Sequence, residues 1–509
     1  MRIKNTIRNI TAAFTGQLFG IIITFVARTV FVRTLSAEYL GVNGLFTNIL
    51  SMLSLAEMGF GSAIVYSMYK PLADRDELKV KALMDFFAAT YKKIGLVILS
   101  IGLLLIPFLD FLIKDTPNIP NLTLIYLLYL LNTVSTYFFA YKRTIITADQ
   151  KEYISTIYRY SFVFITNIVQ IVILIFTKNF LLYLLVQVIL KFVENLLVAN
   201  KANSLYPYIV NIEKNELDKE TKTTIYKNVR AMVYHRFGGV IVNGTDNILI
   251  SLYVGIKWVG LYSNYFLLIS ALNTIIGQIF ISMTASVGNL NALESKDKTK
   301  KIFNSIFFAN FWLFGFSSIS LFILINPFIK LWLGSEYLLS NAVVVLIIVN
   351  FYLKGMRRTT LMFRDSMGLF WHDRYKPIFE AIINIVVSIL LAQHYGIAGV
   401  LIGTLFSTLT TCFWIEPYIL YKYGFADNVM QYFKKYIFYS TALIIVALIT
   451  YGISWSLIQT ITVKTFVITL LICLIIPNVL FLILFRTTEE YKYISVLSKS
   501  LVNKIRKSN

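Results

Sequence analysis

The segment TVFVRTLSAEYLGVNGLFTNIL, residues 29–50, lies over ILISLYVGIKWVGLYSNYFLLI, residues 248–269, when the chain is compared with itself at an offset of about 219. Gly41 then falls on Gly260. The correspondence continues past one loop: IPFLDFLIKD from Ile106 meets NPFIKLWLG from Asn326, and TNIVQIVILI from Thr166 meets INIVVSILLA from Ile383. Each pairwise match is weak, but the order of landmarks is kept across six helices, so the chain reads as one unit written twice.

Composition says what that unit is made of. Of the 509 residues, 57% are hydrophobic, 15% aromatic and only 14% charged, and the mean hydropathy of +0.70 exceeds what a soluble globular surface accommodates. About fourteen apolar runs have the roughly 20-residue length that carries an α-helix across the hydrocarbon core. They fall near 10–32, 40–67, 91–113, 121–141, 156–177, 180–200, 232–254, 259–287, 303–325, 337–356, 378–395, 397–421, 433–456 and 463–486. The runs are continuous rather than alternating and about twice the length of a barrel strand, which excludes a β-barrel. The expected fold is therefore an all-α polytopic membrane protein with about 14 transmembrane helices.

Six helices per repeat is an even number, so both halves enter the membrane from the same side. Such parallel repeats imply a pseudo-twofold axis along the membrane normal and a central cavity shared by two lobes. The expected divisions are an N-lobe over 1–205, a cytoplasmic linker over 206–230, a C-lobe over 231–425, and two appended helices with a basic cytoplasmic tail over 426–509. The linker contains PYIVNIEKNELDKETKTTIYKNVR, the longest non-spanning stretch, in which some surface helix is expected. The first run is long, is interrupted by Gln17 and Arg28, and has no small-residue cleavage site after it, so a retained N-terminus is expected. Cys412 and Cys473 both lie in apolar runs and suggest neither a disulfide framework nor a metal site.

The net charge of +21 would suit nucleic acid in a soluble protein, yet here the partition between alternate loops is more telling. With the N-terminus inside, cytoplasmic segments hold about 40 of the 47 Lys and Arg, and the opposite loops with their helix ends hold about seven: Arg28, Arg33, Lys114, Lys178, Lys257, Lys330 and Lys464. Both termini are accordingly expected in the cytoplasm. Most of these charges orient helices and attract anionic lipid, and no nucleic-acid partner is expected.

Polar residues inside the runs are the candidate site. Asn43, Thr47, Ser51, Ser54, Glu57 and Gly61 share one face of the second expected helix, and Asn9, Ala13, Gln17, Gly20, Thr24 and Arg28 share one face of the first. A stripe turned to lipid is costly, so these faces turn to protein or to a watery cavity. The alternative is close helix packing by small and hydroxyl residues, with Glu57 bonded to a neighbouring helix. The repeat places Arg28 over Asn247, beside Asp246, so opposite charges are expected at one depth and form a hypothetical outward gate. Asn273 in the eighth helix completes the cavity candidates Arg28, Glu57, Asp246, Gln17 and Thr24.

The eleventh helix carries Lys376, Glu380, Asn384 and Ser388 at a spacing of four, with Lys376 and Glu380 expected to pair. The tenth offers Asn350, Lys354 and Arg357. Together with Lys142, Arg143, Arg159, Arg236 and Arg358 these form a candidate basic vestibule at the cytoplasmic mouth. Of these, Arg236, Arg143, Lys354, Arg357 and Lys376 are the candidates for a diphosphate head group, which Arg contacts bidentately. Topogenic charge alone is the competing explanation.

The chain lacks a phosphate-binding G-x-x-x-x-G-K-[ST] loop and a dinucleotide fingerprint, and its three histidines lie on separate segments, so neither an ATPase nor a metal or Ser-His catalytic site is expected. External loops are short. A transporter fits better than an enzyme.

The phrases EYLGVNGLFTNILSMLSLAEMGFGSAIVYSMYKPLA, TDNILISLYVGIKWVGLYSNY, TASVGNLNALES and DSMGLFWHDRYKPIFEAIINIVVSILLAQHYGIAGVLIGTL resemble, in order and over residues 5–425, the polysaccharide-repeat-unit flippases of the multidrug, oligosaccharidyl-lipid and polysaccharide exporter superfamily. The resemblance implies two six-helix lobes around a cavity and alternating access. It implies movement of an undecaprenyl-diphosphate-linked oligosaccharide from the inner to the outer leaflet of a bacterial cytoplasmic membrane, for capsule, O-antigen or cell-wall polysaccharide. Cationic cavity residues near the head-group path are common in that family, and Arg28 and Arg236 are the nearest positional matches. No cofactor is implied; an ion gradient or membrane potential is the hypothetical energy source. Polysaccharide polymerase and chain-length machinery are the partners to expect beside the lipid. Two alternatives stay open: a drug or cation exporter of the same superfamily, which would show acidic cavity chemistry, and a membrane polysaccharide polymerase or ligase, which would show a large external loop.

Overall fold

The structure, a computed structural model, describes residues 2–57, 60–114, 119–213 and 216–496, and among these it is helical with no strand. The chain forms two compact units, Met1–Gly260 and Leu261–Asn509.

The first unit contains α1 (Arg2–Thr34), α2 (Ala37–Leu53), α3 (Phe60–Ala73), α4 (Glu77–Leu104), α5 (Leu109–Leu112), α6 (Leu122–Ala148), α7 (Glu152–Thr177), α8 (Phe180–Leu205), α9 (Tyr208–Asn211), α10 (Lys219–Tyr253) and the start of α11 (Ile256–Leu293). Starts are marked by short polar side chains that accept from otherwise unpartnered backbone N–H groups. Asp76 caps α4 through Lys79 N at 2.9 Å, Asn179 caps α8 through Leu182 N at 3.1 Å, and Asp218 caps α10 through Thr221 N at 2.7 Å. The bonds from the Thr221 backbone and hydroxyl hold the Asp218 carboxyl below its ordinary range.

Glycines set the closest approaches within this unit. A Cβ on Gly16 would sit 2.2 Å from the Tyr160 ring, which lets α1 lie against α7. At the repeat's own landmark the geometry is reciprocal. A Cβ on Gly41 would lie 2.0 Å from the Ile256 carbonyl oxygen, and one on Gly260 would lie 2.1 Å from the Ala37 carbonyl oxygen. Ala37 and Ile256 are themselves equivalent at the offset of about 219, so residue and counterpart exchange contacts in the manner of an isologous pair.

The second unit holds the rest of α11, then α12 (Lys296–Leu333), α13 (Asn341–Ser366), α14 (Lys376–Tyr395), α15 (Ile397–Ser407), α16 (Phe413–Ile419), α17 (Met430–Gln459) and α18 (Val463–Phe485). Its centre is α12, which packs on α13, α17 and α18. Phe303, Phe307, Phe311 and Phe314, spaced four, four and three, are fully buried along one helical face. Phe311 stacks on Tyr439 of α17 at 4.6 Å and meets Phe481 of α18 at 5.1 Å. The run 397–421 is a single helical rod in which π-helical turns at Thr408–Cys412 and Leu420–Phe425 flank α16 and its Pro417.

Among the described residues, eleven helices are long and apolar enough to span a membrane, and the protein is a multi-pass membrane protein. Three of the fourteen expected runs fall outside that number, one because its helix is broken and two because of the polar groups they carry. The run 40–67 breaks into α2, a 3-10 turn at Ser54–Glu57 and α3; α10 begins in the polar linker and carries Thr245, Asp246 and Asn247; and α13 carries Lys354, Arg357, Arg358 and Arg364. Of these, α10 and α13 hold the polar groups that an apolar solvent disfavours. The linker itself is helical from Lys219 and continuous with α10.

Candidate functional site

In the first unit the polar residues of α1, of α2 and of the turn that follows α2 meet tyrosines from α4, α6, α7 and α8. Arg28 is half-buried, with the phenols of Tyr183 and Tyr129 nearby. Among the described residues it forms no ion pair. Tyr129 is itself fixed, because its hydroxyl donates to Asn43 Oδ1 at 2.5 Å. Gln17 accepts from the Tyr160 hydroxyl at 3.3 Å, and Thr24, one turn before Arg28, is half-buried.

Glu57 does not continue the face of an unbroken helix. The backbone tightens into the 3-10 turn at Ser54, and the Glu57 carboxylate accepts from the Tyr91 hydroxyl of α4 at 3.0 Å. Tyr91 stacks on Tyr137 of α6, so one carboxylate ties the break in the second run to two neighbouring helices. Asp246 is buried in α10, which also contributes the buried Thr245 and Ser251. Arg143 pairs with the buried Glu194 at 2.7 Å, and Glu194 also takes Lys191 at 2.9 Å. Arg236 lies in α10, but its side chain is outside the described residues.

The second unit gathers charges from α13, α14 and α16. Arg357 grips Glu416 with two bonds, Nε to Oε2 at 3.0 Å and a terminal nitrogen to Oε1 at 2.7 Å, and reaches Glu380 at 3.6 Å. Lys376 bonds the same Glu416 and lies 3.5 Å from Asp373, which Arg364 also bonds. The expected pair Lys376 with Glu380 is thus corrected. Lys376 turns to Glu416 and Asp373 while Glu380 answers Arg357, because Glu416 is completely buried and draws both cations. Bidentate contact does occur at Arg357, but to a carboxylate of its own unit. Asn273 of α11 accepts from Arg358 through its side chain and its backbone oxygen, both at 3.3 Å. Lys354 is half-buried one turn before Arg358.

Three carriers of this geometry escaped the sequence reading. Glu416 sits in the apolar run TCFWIEPYIL, and a lone carboxylate before a proline was the available signal. Asp373 lies in a loop, outside any helical spacing, and Tyr129 is one of 32 tyrosines with nothing to single it out.

No family model and no curated protein matches this chain. Solved structures do. A lipid II flippase MurJ in an inward closed conformation matches with a TM-score of 0.63 and 17% identity, over 94% of this chain and 99% of that one. An inward-facing multidrug resistance MATE family transporter of the MOP superfamily matches with a TM-score of 0.60 and 14% identity, over 82% and 99%. A Vibrio cholerae MATE transporter matches with a TM-score of 0.56 and 14% identity, over 84% and 99%. At these identities the likeness is one of fold: this chain has the fold of MOP-superfamily transporters and flippases.

Proposed function

We propose that this protein is a flippase that moves an undecaprenyl-diphosphate-linked oligosaccharide from the inner to the outer leaflet of a bacterial cytoplasmic membrane by alternating access, for capsule, O-antigen or cell-wall polysaccharide. The observation that carries the reading is Arg28. A guanidinium inside a spanning helix, without a carboxylate partner among the described residues and attended by tyrosine hydroxyls, is suited to an anionic group that arrives from outside the fold. The diphosphate of a lipid-linked sugar is such a group. The fold gives further support: the MurJ match extends over about 60 more residues of this chain than the MATE match, roughly the length of two spanning helices with their connections.

Asp246 is the proposed counter-charge of Arg28 in an outward gate that opens and closes as the substrate passes. An ion gradient or the membrane potential is the proposed drive, and polymerase and chain-length machinery the proposed recipients. The deciding experiment is the leaflet distribution of lipid-linked oligosaccharide in cells depleted of the protein, read with a membrane-impermeant sugar-modifying reagent. Retention of complete repeat units on the cytoplasmic leaflet is the expected result, and their mass identifies the cargo. Normal outer-leaflet arrival of single units would overturn the reading, and hypersensitivity to cationic dyes with normal surface glycans would favour drug export instead.

A further inference from the structure

The turn between α13 and α14 carries a surface that the transport reading does not use. Trp371 and Tyr375 are 63% and 56% exposed, and between them lies Arg374, its guanidinium carbon 4.2 Å from the Trp371 ring centre and 4.6 Å from that of Tyr375. A second cation stands beside it in the fold. Lys422, exposed in the last turn of the rod 397–425, lies 5.2 Å from the Tyr418 ring and 5.4 Å from the Tyr423 ring. The two places are joined where His372 stacks on Tyr423 at 4.1 Å.

Neither Arg374 nor Lys422 meets a carboxylate among the described residues. Their near neighbours Arg364 and Lys376 do, since both engage Asp373. Two cations are thus left with their charge unanswered at the ends of spanning helices, held in place by aromatic rings. Exposed Trp and Tyr at helix ends sit at the level of lipid head groups, and the stacked Arg374 guanidinium, which gives one N–H to the Trp371 carbonyl at 3.0 Å, keeps further N–H groups for a phosphate. We propose that Trp371, Arg374, Tyr375, Lys422 and Tyr423 form a docking site for the phosphate head group of an anionic phospholipid. The site adjoins the buried charges: Asp373, one residue from Arg374, closes the group that contains Lys376 and Glu416. A bound head group therefore steadies the turn that holds those helices together.

The test uses the full chain in nanodiscs of phosphatidylcholine with a minor fraction of phosphatidylglycerol, and native mass spectrometry of the lipids that stay bound. The expected result is preferential retention of phosphatidylglycerol, reduced about threefold or more in the double variant Arg374→Gln, Lys422→Gln. A control pair, Lys296→Gln with Lys298→Gln, removes the same charge from the exposed start of α12 and should leave retention unchanged. Equal retention in wild type and double variant overturns the site, as does an equal drop in the control. Abolition of retention by excess inorganic phosphate would show a free-anion site and also overturn the proposal. Should the double variant unfold, as read by circular dichroism in phosphatidylcholine alone, the single change Arg374→Lys decides. It keeps the charge and loses the planar stack, and undiminished lipid preference there would overturn the stacked-guanidinium geometry.

Discussion

Glu416 shows how a single residue organises the second unit. Its carboxylate is fully buried and takes Arg357 and Lys376 together, so replacing it leaves two buried cations facing each other with one answer removed. Breaking one partner out of a buried ion pair costs about 3–5 kcal/mol. Glu416→Gln is accordingly expected to destabilise the protein by that order, measured by unfolding in detergent, and adding Lys376→Met should recover part of the loss. Glu57 makes a milder case, since it accepts one bond from Tyr91 and is only half-buried. Glu57→Gln should reduce but not abolish transport, Tyr91→Phe should match it, and a fully active Glu57→Leu protein would remove the assigned role. At this scale sequence spacing revealed the residues on one helix but not their partners. Lys376 and Glu380 are a turn apart and were expected to pair, yet the deeper carboxylate lies 40 positions away on another helix. A helical wheel holds no information on which neighbour is buried beside it.

Among elements, the contacts that matter most are those where a side chain would not fit. Gly41 and Gly260 face the carbonyls of Ile256 and Ala37, which are backbone atoms and cannot rotate away. Gly41→Ala and Gly260→Ala should therefore each destabilise the first unit, and by similar amounts because the two contacts are equivalent. Gly288, with nothing within 4 Å of an added Cβ, supplies the contrast. Gly288→Ala should be neutral or stabilising by up to about 1 kcal/mol, the helix-propensity gain. Thermal unfolding of the three variants separates the predictions. Helix existence was legible because apolar runs of spanning length have few alternatives, and the repeat was legible because Gly41 and Gly260 do the same work. The break at Ser54–Glu57 was not. Ser54 and Glu57 continue the four-and-three spacing of a helix, and only the packing of α4 and α6 around the turn reveals that the backbone departs from it.

For the whole molecule, the alternating-access reading makes a demand on Arg28 and Asp246 that a static structural role would not. Arg28 has no ion-pair partner here among the described residues. If the two charges close an outward gate, their pair forms in one state of the transport cycle and separates in another. Each single reversal, Arg28→Asp or Asp246→Arg, should then abolish transport of the lipid-linked sugar by setting like charges at one depth, and the double reversal should restore a measurable part of it. A cysteine pair at the same positions should cross-link in a fraction of molecules that changes when the substrate is supplied; the native Cys412 and Cys473 are buried and give little background. A double reversal as inactive as the singles would leave Arg28 as a substrate contact alone. Reversal also separates that role from a topogenic one, because the double variant keeps the total charge of the segment while exchanging its positions. A topogenic arginine would lose membrane orientation in both Arg28→Asp and the double variant, whereas a gate arginine would lose function in the first and regain it in the second.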